Sequence, residues 1–213
     1  MERITIRKSI DADTINAIEA KHYECETATR NIAYELSRGS GFDTSGVDYQ
    51  LYRLRKFYPI YNQLKDDLTK RIVQPIVKEN HGNGNCTWNL LFDKKEVVID
   101  MEIGEWKDNS FDPNLSISAE EAEKIRTAKY DSELYGDILS YLSSNALLQS
   151  TPTNILDELN DRQVNAMRDY GNARNAISSN IVGPYLTEHN YDGSVTWNLD
   201  FTTGKITFIN SAT

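Results

Sequence analysis

The residues of this chain that could do chemistry are few and dispersed. His81-Gly82-Asn83-Gly84-Asn85-Cys86 puts an imidazole, a thiol and two glycines in one short stretch, the raw material of a metal site or a phosphate-binding loop. A zinc site takes about four ligands, commonly presented as CxxC or HxxxH pairs, and neither pair occurs. A phosphate loop of the P-loop type continues into Gly-Lys-Ser/Thr, which is also missing. Cys86 therefore reads as an apolar strand position and His81 as a turn residue, with ligand binding by this loop an outside reading. His22 and His189 stand in no Ser/His/Asp or Cys/His arrangement. Glu79 and Glu188, each just past a proline, read as loop hydrogen-bond acceptors ahead of acid–base catalysts. Glu120-Glu121 and Asp66-Asp67 read as solvated helix faces. No catalytic residue, metal ligand or cofactor is assigned, and the expectation is a protein that is not an enzyme.

The most informative motif is a repeated one. Thr87-Trp88-Asn89-Leu90 recurs as Thr196-Trp197-Asn198-Leu199, an offset of 109, and two of the three tryptophans fall there. The same offset pairs Tyr61 with Tyr170, Pro75 with Pro184, Glu79 with Glu188 and Phe92 with Phe201. Upstream, an offset of 107 pairs Ser9-Ile10 with Ser116-Ile117 and Tyr23, Glu26 and Tyr34 with Tyr130, Glu133 and Tyr141. Two ordered runs of this kind predict a tandem duplication, with a two-residue length difference in the loop between the helices, where insertions are tolerated. The expected organisation is a first repeat over 1–104, a linker over 105–115 and a second repeat over 116–213. The repeated Trp-Asn could be a carbohydrate or aromatic platform. The stronger reading makes Trp88, Trp197, Leu90 and Leu199 structural core anchors.

These residues must be held by a helix pair and a hairpin in each copy. Asp11 and Ser118 are candidate N-caps, the latter with Glu121 completing a capping box. The first helix is expected from about Ala12 to Ser37 and its counterpart from about Ala119 to Leu148. Arg38-Gly39-Ser40-Gly41 ends the first, because glycine takes the left-handed conformation after a helix. Apolar steps of three and four through Val47, Leu51, Leu54, Tyr58, Tyr61, Leu64 and Leu68 define the second helix; Leu156, Leu159, Met167, Tyr170 and Ile177 repeat it. Pro59 should kink that first copy, and Pro75 and Pro184 should bend or end both. Alternation through Cys86, Trp88, Leu90 and Phe92, and through Val195, Trp197, Leu199 and Phe201, predicts strands. The turns are Asp93-Lys94-Lys95 and Thr202-Thr203-Gly204. The fold class is α+β, a duplicated antiparallel helix pair followed by a β-hairpin.

Because a lone hairpin is marginal in water, each must pack its tryptophan face on helices. The return strand of copy one, Val97, Val98, Ile99, Met101 and Ile103, is longer and more apolar than its counterpart. It is the candidate partner-binding edge: it should pair with the N-terminal Ile4–Ile6 segment or with a strand of a partner protein.

The net charge of −9, from 32 acidic and 23 basic residues, disfavours nucleic acid unless basic residues cluster. The densest basic stretch, Arg53 to Lys56 with Lys65, Lys70 and Arg71, is interrupted by Asp66 and Asp67. No stretch approaches the ~18–20 apolar residues of a membrane span. Met1-Glu2-Arg3-Ile4-Thr5-Ile6-Arg7-Lys8 carries charge where a signal peptide needs an apolar run. Two cysteines make no disulfide framework. The expected location is a cytoplasm, or a particle assembled in one.

The closing pattern, Val195-Thr196-Trp197-Asn198-Leu199-Asp200-Phe201-Thr202-Thr203-Gly204-Lys205-Ile206, resembles that of small helical-hairpin accessory proteins encoded among tailed-bacteriophage structural genes. The resemblance covers one unit and carries over no functional residue. It implies a virion role, on the capsid surface or at the neck, with capsid or neck proteins as partners. The function expected is thus a structural or interaction protein of a larger assembly. An acidic inhibitor or nucleic-acid mimic is the alternative, and an enzyme built from dispersed residues the second alternative.

Overall fold

The structure, a computed structural model, describes residues 2–104, 110–191 and 195–210. Strand β1 (Arg3–Ser9) leads into helices α1 (Ala12–Ser37) and α2 (Ser45–Leu68), a π turn (Thr69–Val73) and the short helix α3 (Gln74–Glu79). Strands β2 (Gly82–Leu91) and β3 (Glu96–Ile103) follow. The second half repeats that order: β4 (Ser110–Ser116), α4 (Ala119–Ser144), α5 (Thr153–Ile177), a π turn (Ser178–Val182), α6 (Gly183–Glu188), β5 (Val195–Leu199) and β6 (Lys205–Asn210). The fold class is α+β, with two antiparallel three-stranded sheets ordered β1-β3-β2 and β4-β6-β5.

Local chemistry explains the boundaries. The Thr14 amide donates to Asp11 Oδ1 at 2.8 Å, capping α1. At α4, the Glu121 amide donates to Ser118 Oγ while Glu121 accepts from the Ser118 amide, a complete capping box. Helix α1 stops at Gly39, whose φ is +89°. Its counterpart is Ala146 at +55°, so α4 closes at Ser144 rather than at Leu148. Asn145 assists by donating its side-chain amide to the Tyr141 carbonyl at 2.9 Å.

Pro59 lies inside α2 without ending it. Pro75 and Pro184 act differently: each is the second residue of a short helix that follows a π turn. Gln74 donates to the Thr69 carbonyl and Gly183 to the Ser178 carbonyl, five residues back in each case. A proline lacks the amide for the carbonyl one turn earlier and crowds it. Widening the preceding turn accommodates that loss, and both halves use the same device.

Two compact units result, one of Met1–Ala28 with Tyr49–Asp108, the other of Thr29–Asp48 with Asn109–Thr213. The division expected from the sequence, 1–104 and 116–213, is corrected on one point: residues 29–48, the far end of the first helix pair, group with the second unit. The reason is apolar. Ile32, Ala33, Leu36, Phe42 and Val47 are buried, the Phe42 ring meets Tyr135 edge-on at 6.4 Å, and Arg162 lies 4.5 Å over Phe42. The linker expected over 105–115 is also corrected. Residues 105–109 lie outside the described residues, and Ser110–Ser116 is strand β4, paired to β6.

In the first unit, Val97, Ile99 and Met101 of β3 face Ile10, Ile15, Ile18, Leu68, Val73 and Val77 in one core. The second unit gathers Ile125, Ile177, Val182, Trp197, Ile206 and Phe208. In each, one bond ties the start of the first helix to the hairpin turn: Ile10 donates to the Lys95 carbonyl, and Ile117 to the Gly204 carbonyl, both at 2.9 Å.

Candidate interaction site

The candidate edge of the sequence reading is not an edge. Strand β3 pairs on one side with β1, from Arg3↔Glu102 through Ile4↔Met101 and Ile6↔Ile99 to Ser9↔Glu96. On the other side it pairs with β2, including Cys86↔Met101, Trp88↔Ile99 and Leu90↔Val97. The N-terminal segment thus takes the place that a partner strand could have taken. Val97, Ile99 and Met101 are buried core residues, and Val98 and Ile103 are half-buried. The apolar excess that suggested docking is the signature of a central strand covered by helices.

The anchors are graded rather than equal. Trp197 is 7% exposed and donates from Nε1 to Ser178 Oγ at 3.0 Å. Trp88, Leu90 and Leu199 are half-buried and pack against their cores.

Beside both tryptophans lies a constellation that motif searching missed. Lys65 Nζ sits 5.3 Å from the Tyr61 ring centroid and 5.4 Å from that of Trp88. Arg174 repeats this at 5.8 Å from Tyr170 and 4.2 Å from Trp197. It also donates to Tyr170 Oη at 3.2 Å and to the Trp197 carbonyl at 3.3 Å. A second pair of positions flanks the hairpin turn. His22 lies 5.3 Å from Tyr23 and 5.4 Å from Phe92, while Lys129 lies 5.1 Å from Tyr130, itself 6.3 Å from Phe201. The signal was present in the sequence: a cation four residues after each repeated tyrosine, Tyr61 and Tyr170, one helical turn on. Cations flattened on rings contribute roughly 0.5–2 kcal/mol each. They fix the sheet to the helix.

No protein-family model matches the chain, and no curated protein or solved structure matches it either.

The other sequence candidates disperse. His81 takes φ +55° and its carbonyl accepts from the Gly104 amide at 2.8 Å, a turn role; Asn190 at +49° is its counterpart. Cys86 is half-buried and reduced, and desolvation pushes its thiol pKa up. Asn83 and Asn85 donate side-chain amides to Glu102. Glu79 and Glu188 are exposed terminal residues of α3 and α6. Among the described residues no group of three His, Cys, Asp or Glu side chains is placed to hold a metal, and no helix is long and apolar enough to cross a membrane. An open cleft of about 270 Å³ in the first unit is lined by Asp13, Thr14, Leu64, Asp67, Arg71 and neighbours, below the ~300–1,000 Å³ of typical small-molecule sites.

What the surface does offer is large apolar side chains on outward helix faces. Tyr49 and Tyr52 of α2 are 57% and 62% exposed, and Val164 and Met167 of α5 are 50% and 56% exposed. Isolated exposed apolar residues need no explanation. Successive ones on one helix face mark a surface suited to contact, since tyrosine and methionine are enriched at interfaces.

Proposed function

We propose that this chain is a non-enzymatic structural or interaction protein of a larger assembly, binding through its helix faces. The observation that carries this reading is the outward row of Tyr49, Tyr52 and Ile60 on α2, three large side chains left to solvent while the sheets bury their centres. The expected duplication would support it as well, since two copies of one unit give two chances of contact. The resemblance to tailed-phage helical-hairpin accessory proteins narrows the proposal to a virion component, on the capsid surface or at the neck. Its partners would be capsid or neck proteins, and its place a cytoplasm or a particle assembled there.

The alternative, an acidic inhibitor or nucleic-acid mimic, draws on the second unit, which holds 17 acidic and 9 basic residues against 15 and 14 in the first. Pairing counts against it. Glu120, Glu123, Glu133 and Glu158 are each in ion pairs on their own helices, so that surface is far from a bare row of anions.

A mass-spectrometric inventory of particles purified from the source tests the proposal. Recovery of the chain at a fixed ratio to the major particle protein is the expected result. Its absence from every sedimenting fraction would overturn the assignment.

A further inference from the structure

The exposed faces of α2 and α5 differ in charge, and the difference is complementary. From Tyr49 to Ile60 the only charged residues are Arg53, Arg55 and Lys56, all basic. Tyr49, Tyr52, Lys56 and Ile60 follow steps of three and four, so they form one stripe about 16 Å long. Arg53 flanks it, 5.9 Å from the Tyr49 ring and 5.8 Å from the Phe57 ring, with Nη1 donating to Gln50 Oε1 at 3.3 Å. On α5, Asp157, Asp161, Val164 and Met167 are all exposed and occupy a stripe of about 15 Å. Asp157 and Asp161 have no ion pair among the described residues, whereas Glu158 is engaged by Arg162. Arg168, exposed and four residues after Val164, also lies on this face at its far end, beyond the two aspartates, while Asp169 is turned about 100° from it.

We infer that the basic aromatic face of α2 docks on the acidic face of α5 of a second copy of this chain. This rests on the assembly reading above and names its first partner. Antiparallel apposition brings Tyr49 and Tyr52 onto Val164 and Met167, and Lys56 and Arg53 onto Asp161 and Asp157. The parallel orientation sets tyrosines against aspartates and loses both matches. Because each copy carries one face of each kind, two copies can pair both faces reciprocally in a two-fold dimer, or the contact can run head-to-tail and propagate as a ring or open chain. Two three-turn helix faces bury less than the ~1,000 Å² of a stable complex, so association depends on concentration and weakens with salt.

Sedimentation velocity on the full chain tests this. At about 0.05 M salt, the weight-average mass should at least double roughly between 1 and 300 µM, and should fall back to that of the monomer near 0.5 M salt. The reversed variants Arg53→Glu/Lys56→Glu and Asp157→Lys/Asp161→Lys should each be monomeric alone. Mixed in equal amounts they should associate again, because acidic α2 then meets basic α5 while the native pairing survives between the other two faces. Far-UV circular dichroism of each variant checks folding, and Tyr52→Ser, which keeps every charge, should weaken association independently. A wild-type chain monomeric throughout at low salt, or folded reversed variants that stay monomeric when mixed, would overturn the inference. Either result would leave the broader assembly role to be judged by the particle inventory, which does not depend on self-association.

Discussion

The guanidinium carbon of Arg174 lies 4.2 Å from the centroid of the Trp197 ring, and the same side chain donates to the Trp197 carbonyl oxygen. Arg174 therefore holds both the ring and the backbone of strand β5 from helix α5. Trp197→Ala should destabilise the second unit by roughly 3–5 kcal/mol, the range for emptying a large buried aromatic site. Trp88→Ala should cost distinctly less, since Trp88 is half-buried. Arg174→Ala should cost about 1–2 kcal/mol through the lost ring contact. Urea denaturation of the three variants ranks them; equal effects of the two tryptophan changes would contradict the graded anchoring.

The two hairpin turns differ in one residue of consequence. Lys95 takes φ +53° where the second unit has Gly204 at +70°. A left-handed non-glycine residue is strained by ~1–2 kcal/mol, partly offset by the chain entropy glycine loses on folding. Lys95→Gly should thus stabilise by about 0.5–1 kcal/mol. Gly204→Ala should do the reverse and by more, because the added Cβ would stand 2.3 Å from the Ile117 carbonyl oxygen. Melting temperatures moving in opposite directions are the expected readout.

Much of this architecture was legible beforehand. Helix starts were, because Asp11 and Ser118 are capping residues at the head of apolar periodicity, and α1 runs over the expected span. The strand centres were too, from the alternation around Trp88 and Trp197. The sheet order was ambiguous in a specific way. Val97 to Ile103 had a long apolar alternation, which marks burial on one face but says nothing about which strands pair on either side. Ile4 and Ile6 offered one neighbour, and that pairing forms. Strand β4 was missed for a physical reason: Pro113 and the left-handed Asn114 interrupt its ladder between Phe111 and Leu115, an edge-strand pattern that reads as a loop. The cation–aromatic clusters were half legible: the spacing of Tyr61 with Lys65 and of Tyr170 with Arg174 stands in the sequence, but the third member, Trp88 or Trp197, comes from a strand far along the chain.

Strand β3 has neighbours on both sides, so proline there should be ruinous. Val98→Pro or Met101→Pro removes a ladder donor from the middle of the sheet and should cost on the order of 3 kcal/mol. Amide exchange would show lost protection across β1 and β2. A variant that keeps native protection in both strands would return β3 to the role of an edge.

On the outer face of that sheet, hydrogen bonds from Arg3, Asn85 and Asn83 lower the Glu102 pKa from the ordinary 4.5 to about 2. Its folded-state value is depressed, so the contribution to stability is present above the unfolded pKa and fades as pH falls from about 4.5 towards 2. A carboxyl NMR titration should give a Glu102 midpoint near 2, moving up in Arg3→Ala, where the strongest of the three donors is gone. A midpoint unchanged by that substitution would remove the strand-to-strand bond from the account.

The central claim, that the outward helix faces carry the contacts, is tested most directly by hydroxyl-radical footprinting of the chain free and in its assembly. Tyr49, Tyr52 and Met167 should be oxidised readily in the isolated chain, as their exposures of 57%, 62% and 56% require. They should be protected in the assembled state, while buried Trp197 stays unreactive in both. Equal oxidation of these three residues in the free and assembled chain would contradict the claim.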